Sequence, residues 1–120
     1  MKPHIDKTSF GSIIIGGESI SHDVYITLDG EVKKRKKKLS KAVYGTSHTI
    51  SENEIRHVYE KGAEGIVIGS GQYGVAELSD EAVDYLQKKK CRVILCPTPE
   101  AVRDWNRLEG SWIGLFHITC

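Results

Sequence analysis

Ten residues in the middle of the chain, Gly65-Ile66-Val67-Ile68-Gly69-Ser70-Gly71-Gln72-Tyr73-Gly74, constrain the fold more than any others. Ile66, Val67 and Ile68 are consecutive β-branched residues without polar alternation, which suits a strand covered on both faces. The spacing Gly69-x-Gly71-x-x-Gly74 follows directly. Glycine there permits positive φ and lets bare backbone approach a ligand. In dinucleotide-binding folds such a loop runs straight into a helix whose N-terminus holds a pyrophosphate. Here Val75 to Leu78 intervene before a helix cap at Ser79. The next strand, Arg92 to Leu95, ends in Cys96-Pro97 and not in the acidic residue a ribose requires. NAD is therefore set aside. The loop is left as either a tight strand-to-helix turn or a cradle for a small anion.

Helix and strand alternate after this segment, and one helix directly precedes it. Ser51-Glu52-Asn53-Glu54 reads as a capping box, followed by Ile55, Val58 and Tyr59 at helical spacing, with Gly62 at the helix end. Ser79 caps a second helix with Ala82, Val83 and Leu86 as its apolar stripe and Lys88 to Lys90 at its C-terminus. Arg92 to Cys96 is a second continuous apolar strand. Thr98-Pro99-Glu100 reads as an N-cap with a first-turn proline, and Ala101, Val102, Trp105 and Leu108 give that helix its face. Trp112 to Ile118 is the last strand, with Ile113 and Leu115 on one side and Phe116 and Ile118 on the other. Such alternation means crossover units on a sheet.

The first third is different. Ser9 to Ile15 is expected as one strand closed by Gly16-Gly17. Asp23 to Leu28 alternates, and Asp29-Gly30 signals a hairpin. A two-residue loop sets Leu28 opposite Glu31, and a three-residue loop with a bulge sets it opposite Val32, which fits the apolar pattern better. The expected fold is α/β, a sheet flanked by helices with an added N-terminal β-hairpin or meander layer. One domain spans 1–120, with the meander at 1–43 and the α/β portion at 44–120.

The hairpin's last strand is expected to carry Lys33-Lys34-Arg35-Lys36-Lys37-Lys38. Outside this run the chain has 11 basic residues against 16 acidic ones, so a mildly acidic body carries one basic edge. No aromatic residue interleaves with the run to stack bases. Lysines are also the usual means of blocking an exposed sheet edge. Nucleic acid is accordingly not the expected partner. Apolar content of 39% and charged content of 28% indicate an ordinary globular chain. No apolar run is long enough for a membrane span, and the N-terminus lacks a signal-peptide core. With three cysteines, an odd number, reduced thiols and a cytoplasmic location are expected.

In open α/β sheets, ligands sit beyond the C-terminal ends of parallel strands. Those ends carry the glycine loop and Cys96 to Pro99. The candidate ligand-binding residues are Gly69, Ser70, Gly71, Gly74, Thr98 and His48. Neither a cofactor nor a metal is expected. His48, His117, Cys96 and Cys120 have the chemistry for thiolate or zinc sites, but His117 and Cys120 lie three apart on an expected strand and face opposite sides unless that strand ends at Thr119. The plainer roles are a hydrogen-bonded core histidine and a small apolar plug.

The ending His117-Ile118-Thr119-Cys120, preceded by Gly114-Leu115-Phe116, resembles the terminus of a small, mostly uncharacterised family. Gly45-Thr46-x-His48, Ile68-Gly69-x-Gly71, Thr98 with Ala101-Val102, and Asn106 match it in order. That family includes an adipogenesis-associated protein and a mitochondrial respiratory complex I assembly factor. This chain looks closest to its stand-alone archaeal or bacterial members. The resemblance implies a three-layer fold around a mixed, mostly parallel sheet with an accessory β layer, and it implies no catalytic residue or cofactor. Two functions remain. One is a non-catalytic binding or assembly module with a protein partner. The other is a ligand-binding protein or enzyme for an anion, carboxylate or nucleotide at residues 69–74.

Overall fold

The computed structural model describes residues 2–120. The chain runs β1 (Ile5–Ser9), β2 (Ser12–Ile15), β3 (Glu18–Ile20), β4 (Val24–Ile26), β5 (Val32–Lys34), α1 (Lys38–Tyr44) and β6 (Thr49–Ile50). It continues through α2 (Glu52–Val58), β7 (Gly65–Ser70), β8 (Glu77–Leu78), α3 (Asp80–Lys88), β9 (Arg92–Cys96), α4 (Thr98–Arg107) and β10 (Trp112–His117).

The run of β-branched residues becomes β7, and every residue of it is buried. It lies between β10 and β9 in a five-stranded sheet ordered β5-β4-β10-β7-β9. Both neighbours are parallel to it, so Ile66 sits beside Ile113 and Val93, and Ile68 beside Leu115 and Leu95. β4 is antiparallel to β10 and β5 antiparallel to β4, which makes the sheet mixed.

Period-two alternation sends the side chains of β7 and β10 into two cores. Ile66, Ile68, Ile113 and Leu115 pack under Ile55 and Val58 of α2 and Ala82 and Leu86 of α3. Val67, Trp112, Phe116 and Ile118 pack against Ala101, Val102 and Trp105 of α4 and against Ile5, Ile13 and Ile15. Those three isoleucines belong to an antiparallel meander, β1-β2-β3, that shares a layer with α4. Asn106 fastens the two together: its Oδ1 accepts from Ile5 N at 3.0 Å and its Nδ2 donates to Ile5 O at 2.8 Å. The fold is therefore α/β, a mixed sheet flanked by helices with an N-terminal meander.

Several sequence expectations are corrected locally. Residues 9–15 are not one strand: the chain turns at Phe10-Gly11, with Gly11 at φ +79°, and β1 pairs back on β2. In the second hairpin Ile26 faces Val32, and Thr27 N donates to Glu31 O, so Leu28 to Gly30 form the loop. Leu28 faces neither Glu31 nor Val32. Its N–H goes to Glu60 Oε2 at 2.7 Å, and its side chain packs beneath α2. The six bases form no single edge strand. β5 stops at Lys34, Arg35 turns inward, and Lys38 opens α1. Helix α2 ends at Val58, four residues before Gly62, because Tyr59 adopts an extended conformation. β9 is an edge strand and not a covered one, with Val93 and Leu95 exposed. Residues 77–78, which intervene between the glycine loop and the Ser79 cap, pair in parallel with β6.

The centre of the sheet depends on one absent methyl group. A Cβ on Gly65 would lie 2.2 Å from the ring of Trp112. Replacing a strand glycine by alanine ordinarily gains about 0.5–1 kcal/mol. Overpacking costs about 1–3 kcal/mol or more, so the clash should win. Gly65→Ala should lower the unfolding free energy by about 1–2 kcal/mol in urea titration. A neutral or stabilising effect would mean that Trp112 does not lie on Gly65.

Candidate functional site

The glycine loop leaves β7 at the C-terminal edge of the sheet, where α/β proteins place ligands. Gly69, Ser70, Gly71, Gly74 and Thr98 do come together there. Gly71 has φ +101° and Gly74 φ +71°. Their neighbours, however, are parts of the same chain. Gly71 N donates to Thr98 Oγ1 at 2.9 Å, and that hydroxyl donates to His117 O at 2.5 Å. Gln72 N donates to Thr119 O at 2.6 Å, and the N–H groups of Tyr73 and Val75 donate to Cys120 O at 3.0 and 3.3 Å. A Cβ on Gly71 would lie 2.2 Å from the carbonyl carbon of Cys120, and one on Gly69 would lie 2.8 Å from Thr98 Oγ1. The glycines thus make room for residues 119–120 and for Thr98, and the loop's donors are spent on them.

Thr98 is not the cap of α4. Pro97 holds the cap position, and Thr98 is the first helical residue, fully buried and turned toward β7 and β10. His48 reaches the same edge from the loop after α1. Its ring lies 5.5 Å from that of His117, tilted by 67°. Cys96 sits apart, with its Sγ 3.7 Å from Asp104 Oδ2. Burial and the Asp104 carboxylate push its thiol up to about 11, and burial alone does the same for Cys91. Neither is a ready thiolate nucleophile at neutral pH.

Beside the loop lies a buried ionic cluster. Arg35 Nε and Nη2 bind Glu54 Oε2 and Oε1 at 2.6 and 3.0 Å, a two-pronged contact. Its Nη1 donates to Asp23 Oδ2 at 2.9 Å, and its Nη2 also donates to Ser47 O at 2.8 Å. Asp23 Oδ2 lies 2.7 Å from His117 Nδ1, and Asp23 Oδ1 accepts from Ile118 N at 2.8 Å. Because the Asp23 carboxylate only accepts, Nδ1 of His117 carries the hydrogen that faces it, and Nε2 faces Thr119 Oγ1 at 3.2 Å. Ser40 Oγ donates to Glu54 Oε1 at 2.5 Å. The Arg35 and Glu54 side chains are wholly inaccessible to solvent. Among the described residues no buried side-chain nitrogen or oxygen lacks a partner.

Sequence reasoning missed this cluster because each member had a plainer role. Arg35 stood among surface bases, and Glu54 was the back-bonding residue of a capping box. Ser51 does cap α2, accepting from Glu54 N at 3.1 Å. The reciprocal bond is replaced: Ser51 N donates to Ser40 Oγ at 2.9 Å, freeing the Glu54 carboxylate for Arg35. The available signal was the position of Glu54, next to Ile55 and four residues before Val58, on the helix's inward stripe.

Over the cluster lies a cleft of about 200 Å³, walled by Ser21, His22, Lys34, Lys37 and Thr119, with Asp23 and Arg35 at its floor. The lysines are exposed and the Arg35 charge is already matched, so the open cations belong to the rim. Among the described residues no three His, Cys, Asp or Glu side chains converge as a metal site requires. No helix there is long and apolar enough to cross a membrane.

Burial alone would raise the Asp23 carboxyl. The hydrogen bonds from His117 and Ile118 N, with the charges of His117 and Arg35, outweigh it and hold the carboxyl at about 2, against 3.8 for a free side chain. A depressed folded-state value means stability present above pH 4 and lost as pH falls toward 2, worth about 2 kcal/mol. Urea unfolding of Asp23→Asn should therefore show a flatter acid limb than the parent between pH 4 and 2. Parallel limbs would mean that Asp23 is not held in this way.

Comparison with known proteins places the chain. A sequence model of the family described as "Protein of unknown function (DUF498/DUF598)" matches residues 5–116. The crystal structure of a conserved hypothetical protein from Pyrococcus horikoshii OT3 is 30% identical, covers all of both chains and superposes with a TM-score of 0.92. A solved protein named MT938 is 29% identical over 99% of this chain and 100% of its own, with a TM-score of 0.85. A Bordetella parapertussis protein shares the fold at 17% identity, covering 98% of this chain and 96% of its own, with a TM-score of 0.75. The chain belongs to the DUF498/DUF598 family.

Proposed function

We propose that this member of the DUF498/DUF598 family is a non-catalytic binding module that presents a surface to a protein partner. The observation that carries this is the self-occupied loop. The N–H groups of Gln72, Tyr73 and Val75 and the hydroxyl of Thr98, which would hold a substrate or a developing negative charge, donate to carbonyls of residues 117–120. The ionic cluster is likewise internally matched, and an acid or base whose partners are all fixed is poorly placed to exchange protons with a substrate. Apolar side chains stand outward above this sealed edge. Tyr73 is 74% and Phe10 57% exposed, with rings 6.0 Å apart, and Val75, two residues on from Tyr73, is half exposed. Aromatic side chains of this kind are the usual anchors of protein interfaces. The likeness of the His117 to Cys120 ending to a family with an assembly factor points the same way, and we extend the proposal to that kinship.

A second function rests on the cleft beside His117. Lys34, Lys37 and His22 on its rim suit a small anion or carboxylate, which would then sit over residues 117–119 and not in the glycine loop.

A thermal-shift screen of nucleotides, phosphate, carboxylates and divalent metals separates the two. A ligand at a hundred times its Kd adds about 2.7 kcal/mol, enough to raise Tm by several degrees. The binding-module proposal expects no such rise. It expects a photo-crosslinking residue at Tyr73, but not one at Lys61, to capture a discrete protein. A saturable rise that disappears in Lys37→Ala would overturn it in favour of the cleft.

A further inference from the structure

The lysines beside the Asp23 cluster are matched by nothing in the fold. Lys34, Lys36, Lys37 and Lys38 are exposed, and among the described residues none of them forms an ion pair with a carboxylate. Several bases elsewhere are engaged. Arg56 pairs with Glu52, the Arg92 guanidinium lies 5.2 Å from the centre of the Trp112 ring, and the Lys89 ammonium lies 5.6 Å from that of Tyr85. Protection of a sheet edge accounts for only part of the run. β5 ends at Lys34, so Lys36 and Lys37 lie beyond the sheet, and Lys38 begins α1. The run also works against the helix it opens. α1 has no acidic residue in its first turn, and Lys37 caps it without a side-chain bond. Cations there oppose the helix dipole, and Lys37 and Lys41 repel each other at the i,i+4 spacing.

We propose that these charges are matched from outside, by a carboxylate-rich segment of a protein partner that seats one carboxylate in the cleft beside Lys34 and Lys37. The inference rests on the binding-module reading and adds the partner's chemistry.

Shape and residue type select that occupant. Lys34 and Lys37 wall the cleft of about 200 Å³ above Asp23 and Arg35, and a second cleft of about 260 Å³ is lined by residues 34–38 alone. The two clefts share Lys34, Arg35 and Lys37, so they adjoin as one basic groove. Arg35 has the fork that phosphate recognition favours, but it is buried and spent on Glu54 and Asp23. What stays exposed is lysine, a point charge without that fork. No phenylalanine, tyrosine or tryptophan lines either cleft to stack a base. The groove also adjoins the exposed aromatic pair. Ile118 and Thr119 form part of its wall, Gly11 N donates to Ile118 O at 2.7 Å, and Tyr73 N donates to Cys120 O at 3.0 Å. Phe10 and Tyr73 therefore stand just past that wall, and the partner segment carries an apolar side chain for them next to its carboxylates.

Isothermal titration calorimetry of the full chain tests this with an oligoglutamate peptide ending in tryptophan. The parent should bind that peptide, and should bind neither its glutamine counterpart nor free glutamate. Lys34→Gln/Lys37→Gln should raise Kd at least about tenfold, whereas Lys61→Gln/Lys88→Gln, which removes the same charge elsewhere, should stay within about twofold of the parent. All four lysines are exposed, so both variants should keep the parent's Tm. A parent that does not bind the oligoglutamate peptide at millimolar concentration overturns the inference. So do equal losses in the two variants, a glutamine counterpart or free glutamate bound as tightly as the peptide, and oligouridylate or phosphatidylserine vesicles bound in preference to it. Photo-capture at Tyr73 reports on the binding-module reading alone, so the two fail separately.

Discussion

One buried guanidinium holds together the sheet edge where the β strands exit toward residues 117–120. Arg35 ties the end of the β4–β5 hairpin to α2 through Glu54, to the loop before β6 through Ser47 O, and to the start of β4 through Asp23. Through Asp23 it reaches His117 and Ile118 at the end of β10. Such a group is an uneven contributor to stability. The cost of drying two carboxylates and a guanidinium can cancel their attraction, whereas removing one partner leaves a buried charge exposed to no compensation. Its contribution here is geometric: it fixes where residues 117–120 run.

That path determines what happens at the strand exits. Because His117 is fixed by Asp23, its carbonyl lies where Thr98 can donate to it, and Thr119 and Cys120 pass over the glycine loop to take its N–H groups. The resulting edge is closed by the protein's own backbone. An edge built in this way leaves Tyr73 and Phe10 exposed above it, which is an observation on which the proposed partner binding rests.

Much of this was legible in the sequence. The unbroken Ile66-Val67-Ile68 run suited a doubly covered strand and became one, and the cap at Ser79 and the apolar faces of α3 and α4 followed from spacing. Neighbours in space were not legible. Nothing local distinguishes Arg35 from Lys34 or Lys36, since its role depends on Glu54, 19 residues on, and on Asp23, 12 residues back. Thr98 carries a cap's residue type but bonds across to β10. The glycines were recognised as sites of close approach, yet the approaching group is Cys120 and not a ligand. Arg92 to Cys96 matches a buried strand in composition, and only sheet order reveals it as an edge.

The most direct measurement is a double-mutant cycle on Arg35 and Glu54 by urea unfolding. Arg35→Met alone should cost about 3–5 kcal/mol, because it strands the Glu54 carboxylate in the interior. Adding Glu54→Gln, which removes that charge and keeps an acceptor for Ser40, should recover most of the loss. If Arg35→Met is as stable as the parent, or if Glu54→Gln makes it worse by its full separate cost, the two groups are not coupled and the edge is held by something else.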